Sequence, residues 1–252
     1  FIGKMYTTTQ LGYYSQAQKL KDLPVTSTMQ AVQGVTYPAL SKLRDDSKKF
    51  SDGFERIVML LSFVVMPMML GFVAIAEDMF ALLLGAKWMP TVPYFRILAL
   101  SGLCYPLAMV AYNVLKTKSD GRVIVRLELI KRVIMTLILV VTIPQGIKAV
   151  AWGMTAMAAV EFLLNSTAAM RYMELGVARF VRAILPSLAL AVVMYLAIDL
   201  MQPLLINLSV ALRLVVDILG GALLYIGIAA LLRLKPLKEG WTLLGSMFVR
   251  SE

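Results

Sequence analysis

The chain is patterned as long uncharged apolar runs separated by short charged segments. Ile57 to Ala76 is the clearest run, uninterrupted except for Pro67, and its length matches the roughly 20 residues that cross a bilayer. Ile97 to Leu115 is a second uncharged run. A third runs from Leu127 to about Ile147, entered through Glu128, Lys131 and Arg132. Ala149 to Met170 follows with a single carboxylate, Glu161, and Phe180 to Ile198 and Leu214 to Leu232 complete the set, the last interrupted only by Asp217. Proline and glycine inside such runs are tolerated, because neighbouring helices satisfy the freed backbone groups. Leu11 to Leu43 has helical length but carries Lys19, Lys21, Asp22, Gln30 and Gln33. Lipid alone cannot surround such a segment, so it is read as a membrane helix packed inside the protein with its polar face on a water-filled cavity. The alternative is an amphipathic helix lying on the membrane surface. The pattern thus predicts an all-α polytopic membrane protein with about seven transmembrane helices.

Composition agrees. Of 252 residues, 60% are hydrophobic and 16% charged, and the mean hydropathy is +0.78. A soluble domain carries about 45–50% apolar and about 25% charged residues. Cys104 is the one cysteine and there is no histidine, which excludes an intrachain disulfide, His-type zinc sites and imidazole-based catalysis. No Gly-rich phosphate loop or metal-spaced acidic cluster occurs, so no cofactor, no metal and no enzymatic activity are expected. The net charge of +10 is accounted for by topology. With alternating spans, most Lys and Arg fall on one side, in Lys42–Arg56, Lys116–Arg132, Arg171–Arg182 and Arg233–Arg250, and the positive-inside rule makes that side cytoplasmic. No nucleic-acid partner is then needed. The chain opens on Phe1 without Met or a signal-peptide pattern, and is expected to be a fragment lacking an N-terminal part.

Ionisable residues inside membrane helices are functional candidates. Tyr14, Gln18, Lys19, Lys21 and Asp22 cluster towards the outer end of the first helix, and Gln30 and Gln33 continue inward. Ammonium groups attract phosphate while amides and tyrosine rings suit sugars, so this face is a candidate binding surface for an anionic glycan-bearing substrate. Snorkelling lysines and inter-helix amides are the structural alternative. Asn113 is a weaker candidate for the same cavity. Glu161 and Asn165, four residues apart on one helix face, are candidates for ion coupling through H⁺ or Na⁺, or for packing. Arg213 and Asp217 have the spacing of an intrahelical salt bridge. Lys87–Trp88 and Tyr94–Arg96 are expected interface anchors.

Five ordered segments, LGYYSQAQKLKDLPV, YPALSKLRDD, LLLGAKWMPTVPYFRILALSG, LKTKSDGRVIVRLELIKRVI and GIKAVAWGM, resemble the Wzx-like polysaccharide flippases of the multidrug/oligosaccharidyl-lipid/polysaccharide superfamily, from about Gly3 to Met173. The resemblance implies the C-terminal lobe of a two-lobe transporter. Residues 1–10 would end a preceding helix, 11–175 form the core helices, 176–234 two additional transmembrane helices, and 235–252 a cytoplasmic tail, amphipathic through Trp241, Leu243, Leu244, Met247 and Phe248. It implies translocation of a polyprenyl-diphosphate-linked oligosaccharide across the bacterial inner membrane by alternating access. Such transport would serve lipopolysaccharide or exopolysaccharide synthesis, with polymerase and assembly proteins as partners. On this reading Lys19, Lys21 and Asp22 face the cavity. The Ser119-Asp120-Gly121-Arg122 turn departs from relatives that place the Gly-Arg pair earlier. The alternatives are a multidrug/cation antiporter of the same superfamily and a non-transporting scaffold of polysaccharide assembly.

Overall fold

A computed structural model describes residues 6–173 and 175–239. The expected preceding helix before Tyr6, and the tail residues Trp241, Leu243, Leu244, Met247 and Phe248, lie outside the described residues. The elements are α1 (Thr8–Lys42), α2 (Ser47–Ala74), α3 (Ala76–Leu83), a 3₁₀ segment (Ala86–Thr91), α4 (Val92–Ser101), α5 (Tyr105–Lys118), α6 (Gly121–Thr142), a second 3₁₀ turn (Ile143–Gln145), α7 (Ile147–Met170), α8 (Val177–Leu205) and α9 (Val210–Leu231). No strand occurs among the described residues.

Local chemistry explains where the helices start. Thr7 and Ser209 cap α1 and α9 by accepting the amides of Gln10 and Leu212, satisfying donors that a helix start leaves open. Asp46 caps α2 in the same way, accepting the Lys49 amide at 3.0 Å. That amide and the Lys49 ammonium hold the Asp46 carboxyl below the usual carboxylate range. Gly146, at φ 109°, makes the turn into α7 in a backbone region that L side chains rarely adopt.

Among the described residues, five helical runs are long and apolar enough to cross a membrane: Ser47–Ala74, Ala86–Lys118, Ile147–Met170, Val177–Leu205 and Val210–Leu231. α1 and α6 have the length, about 52 and about 33 Å at 1.5 Å per residue, but not the apolarity. Of the seven expected spans, five therefore qualify by composition. The Ile97–Leu115 run is not one helix, since α4 ends at Ser101 and α5 begins at Tyr105. The break fits against α2, where a Cβ on Gly102 would clash with Met69 Sδ. The run from Leu127 likewise stops at Thr142, four residues before Gly146 reverses the chain.

Two packing groups result. α2 pairs extensively with α8, and α9 lies against α8. Phe54 of α2 and Phe162 of α7 stack on Phe180 of α8, with ring centroids 6.0 and 5.9 Å away, so the core of this group extends to α7. α5 pairs with both α1 and α7. A second core, around Tyr14, Phe80, Phe95 and Ile147, gathers the ends of α1, α3, α4 and α7. α6 rests mainly on α7, and Val125, Leu129, Val133, Leu137 and Val140 on it are exposed. Such apolar surface suits lipid.

Candidate functional site

α1 is two-faced. Tyr14, Ala17, Lys21, Val25, Val32, Thr36 and Leu40 are buried at helical spacing, against α4 and α5. Ser15, Lys19, Thr26, Ser27, Gln30, Gln33 and Tyr37, with the apolar Leu23 among them, form an exposed stripe, because residues three and four apart share a helix face. The polar residues of α1 are therefore split: Lys19 and Gln30 lie on the open stripe, Gln33 reaches from it to Met109, and Lys21 is buried against the bundle. Ser27 and Thr28 donate to the carbonyls of Leu23 and Pro24 at 3.0 and 2.7 Å, satisfying their hydroxyls within the helix.

Between α1, α5, α6 and α7 lies a polar cavity of about 280 Å³, lined by Met29, Tyr105, Ala108, Met109, Tyr112, Glu128, Lys131, Glu161 and Asn165. Lys131 is at its centre, with a side chain only 5% exposed. Its Nζ is 2.7 Å from Glu128 Oε1 and 3.5 Å from Glu161 Oε1, and 5.3 Å from the Tyr112 ring centroid. Lys116 Nζ stands 4.9 Å from the same ring. Two turns earlier on α5, about 10 Å away, Tyr105 carries Lys21 over its ring at 5.3 Å, and Lys21 is paired with Asp22 at 2.6 Å. Ammonium groups over tyrosine faces are favourable, more so away from water. Three lysines thus meet two tyrosines along one face of α5, each buried ammonium also touching a carboxylate.

The candidate residues divide accordingly. Tyr14 and Lys21 are buried, Gln18 and Asp22 half-buried, and Lys19, Gln30 and Gln33 belong to the open stripe. Gln33 touches Met109 Sδ at 3.4 Å. Asn113 is buried within the bundle at 1% exposure, outside the cavity lining, and its Nδ2 has no hydrogen-bond partner among the described residues. Glu161 and Asn165 do line the cavity together. Asn165 Nδ2 donates to the Ala108 carbonyl at 3.2 Å. Lys131 is a correction: it is not a cytoplasmic loop base but the buried centre of the cavity. Sequence reading passes over it because it groups with Glu128 and Arg132 as the charged entrance to the apolar run; the available signal is Glu128 and Lys131 at i,i+3 within an apolar helix.

The Arg213–Asp217 pairing is also corrected. Arg213 pairs with Asp78 on α3, whereas Asp217 accepts from Gln202 at 2.7 Å. The start of α9 packs on α3, which presents a buried carboxylate to the guanidinium. Nearby, Arg96 binds Glu77 at 3.0 Å and the Val73 carbonyl at 3.2 Å, fastening helices rather than simply marking an interface. Separately, an apolar groove of about 490 Å³ between α2, α8 and α9 is lined by Phe63, Pro67, Met194, Ile198, Gly221 and Tyr225 among others, with Asp217 at its edge.

Comparison with known proteins places this arrangement. Residues 1–93 match the family described as polysaccharide biosynthesis protein. The chain is 23% identical over 228 residues to the teichuronic acid biosynthesis protein TuaB of Bacillus subtilis, covering 89% of this chain and 47% of that protein. It is 28% identical over 100 residues to the succinoglycan biosynthesis transport protein ExoT of Rhizobium meliloti, covering 40% of this chain and 20% of that one. In structure it is similar to the lipid II flippase MurJ in an inward closed conformation, with a TM-score of 0.70 and 16% identity over 90% of this chain and 48% of that one. The chain spans under half the length of each. These matches bear out its resemblance to the polysaccharide exporters, and with the five apolar helices they make it a multi-pass membrane protein of the flippase fold.

Proposed function

We propose that the chain forms one lobe of a transporter that flips a polyprenyl-diphosphate-linked oligosaccharide across the bacterial inner membrane for O-antigen or exopolysaccharide assembly. The observation that carries this reading is a membrane-length helix, α1, with a polar open stripe, in a fold similar to a lipid II flippase. Lys19, Gln30 and Gln33 on that stripe would meet the glycan, while Lys21 and Lys131 supply cations for the diphosphate. Alternating access would expose this face to each side in turn. Ion coupling by H⁺ or Na⁺ would act through Glu161 and Asn165. Cation bias along the loops puts the Lys42–Arg56 segment and the C-terminus in the cytoplasm, beside the assembly enzymes. A drug/cation antiporter of the same superfamily would favour an acidic, aromatic cavity with free carboxylates, whereas here Glu128 and Glu161 are both engaged by Lys131.

The test is genetic complementation. In a strain lacking its polysaccharide flippase, the full-length protein restores surface polymer and clears accumulated lipid-linked repeat units. The Lys19→Ala/Lys21→Ala double variant, inserted at normal levels, leaves those units accumulated. Normal polymer output from that variant would refute the role of the lysines, and a non-transporting scaffold would leave the strain carrying the wild-type protein itself without polymer and with its lipid-linked units accumulated.

A further inference from the structure

We propose that the seam between α7 and α8 binds an anionic glycerophospholipid, with one acyl chain lying in the seam and the phosphate held between Arg171 and Arg182. The site shares no lining residue with the cavity around Lys131, and it does not depend on what that cavity transports.

α7 and α8 follow one another in the chain, joined by residues 171–176, yet their backbones scarcely approach each other. α7 belongs to the group packed on α5 and α8 to the group packed on α2; the two groups meet mainly where α2 touches α4 and α5. Between α7 and α8 the stack of Phe162 on Phe180 makes a bridge. Around it runs an apolar groove of about 390 Å³, lined by Leu107, Phe162, Ser166, Phe180, Ile184 and Leu188 among others. Leu163, Val181 and Leu185 on the same lining are about half exposed, so the groove opens to the outside of the bundle, where a membrane helix meets lipid. The lining runs from Phe162 to Met170 on α7 and from Val177 to Leu188 on α8, about 12 and about 17 Å at 1.5 Å per residue. Half of a bilayer's hydrocarbon core is about 15 Å, so the groove has the depth of one acyl chain in one leaflet. A chain seated there supplies the dispersion contacts that α7 and α8 do not give each other.

Two polar features choose the class of lipid. The mouth of the groove carries guanidinium groups: Arg171 lies one turn beyond Thr167, and Arg182 one turn before Leu185, each on the helix face of a lining residue. Both are exposed, and neither has a carboxylate partner among the described residues. Arg179 between them is instead neutralised by Asp52 and Glu55. Deeper in the groove, Ser166 is 3% exposed, and its Oγ has no hydrogen-bond partner among the described residues. A buried hydroxyl left without a partner is costly. Ser166 stands five residues before Arg171, about 7.5 Å along the helix axis, at the level below the phosphate where a glycerophospholipid carries its ester carbonyls. The hydroxyl donates to such a carbonyl, while Arg171 and Arg182 take the phosphate through charge-assisted bonds. A bare hydrocarbon meets neither need. Both arginines lie on the side that holds most of the chain's cations, and basic clefts between membrane helices there suit anionic headgroups.

The experiment is native mass spectrometry of the full-length protein, released from detergent with phosphatidylglycerol or with phosphatidylcholine of the same acyl chains. Wild type retains phosphatidylglycerol about 30-fold more tightly, the effect of two cations on an anionic lipid. Arg171→Gln/Arg182→Gln abolishes that preference, and the charge-matched Arg122→Gln/Arg126→Gln keeps it. Cys104, at the deep end of the groove, reports the chain: phosphatidylglycerol at about ten times its Kd slows alkylation of this thiol by a membrane-permeant maleimide about tenfold, read by peptide mapping. Equal retention of the two lipids overturns the proposal, as does a preference that survives the Arg171/Arg182 change or is lost equally in both double variants. Unchanged alkylation of Cys104 with phosphatidylglycerol bound overturns it too, and if the Arg171/Arg182 variant does not fold, this protection in wild type decides alone.

Discussion

Two ion pairs at the same end of the bundle should differ several-fold in their worth, and the difference is measurable. Arg213 and Asp78 join α9 to α3 with side chains 20% and 6% exposed, whereas Arg96 and Glu77 are 40% and 60% exposed. Replacing Arg213 by Leu strands a buried carboxylate, and breaking a buried pair costs about 3–5 kcal/mol. Asp217 cannot offset this, since it is also an acid and already engaged with Gln202. Glu77→Ala removes an exposed partner and costs under about 1 kcal/mol. If the α8–α9 hairpin opens as a local unit, 3 kcal/mol corresponds to about 150-fold faster amide exchange. Hydrogen exchange by mass spectrometry in detergent should show that acceleration along α9 in Arg213→Leu and little change in Glu77→Ala. Adding Asp78→Asn to Arg213→Leu removes the stranded charge and recovers more than half the loss. Equal effects of Arg213→Leu and Glu77→Ala, or no recovery in the double variant, would refute the reasoning.

Three further outcomes are expected. Gly102→Ala places a methyl against Met69 Sδ and lowers the thermal midpoint through about 1–3 kcal/mol of overpacking; Met69→Ala in the same chain restores part of it, and an unchanged midpoint would remove the close-approach explanation. Asn165→Ala loses the bond to the Ala108 carbonyl and costs about 1 kcal/mol, read by denaturant titration against wild type; no loss would mean that this bond does not join α5 to α7. For Asp46, the folded carboxyl is depressed, so its capping contribution is full above the unfolded value of about 4 and is lost as pH falls through the lower folded value. Exchange at the Lys49 amide should be corrected-rate constant down to about pH 4 and accelerate below it, a step absent in Asp46→Ala; a step in both would assign it elsewhere.

The fold class was legible because a bilayer leaves few options: uncharged runs near 20 residues report their own helices. The five qualifying runs were found, but two of them start well before the expected residue, at Ser47 against Ile57 and at Ala86 against Ile97, and the open face of α1 followed from Lys19, Gln30 and Gln33. Breaks were not legible. Gly102 to Cys104 interrupts an uncharged run just before Pro106 in the first turn of α5, and the seat of Gly102 against Met69, distant in sequence, could not be read from the pattern. The site was half legible. Glu161 and Asn165 announce themselves as polar groups in an apolar helix, but Lys131, halfway along α6 (Gly121–Thr142), sits beside Arg132 at the charged entrance of the apolar run, where the sequence pattern reads as a helix end. Burial of one and exposure of the other depends on which face of α6 meets α7. Partner choice was invisible for the same reason: Arg213 has a carboxylate one turn away in sequence, yet packing delivers another from α3.

The most direct measurement is lipid translocation itself. The full-length protein is reconstituted in vesicles containing a fluorescent polyprenyl-diphosphate oligosaccharide, and the fraction of label reached by a membrane-impermeant quencher is followed in time. Wild type should expose the label of both leaflets, while Lys131→Met and Lys19→Ala/Lys21→Ala should leave the inner half protected as in protein-free vesicles. Protection of that half in the presence of correctly folded wild-type protein would contradict the assignment of this chain to a flippase.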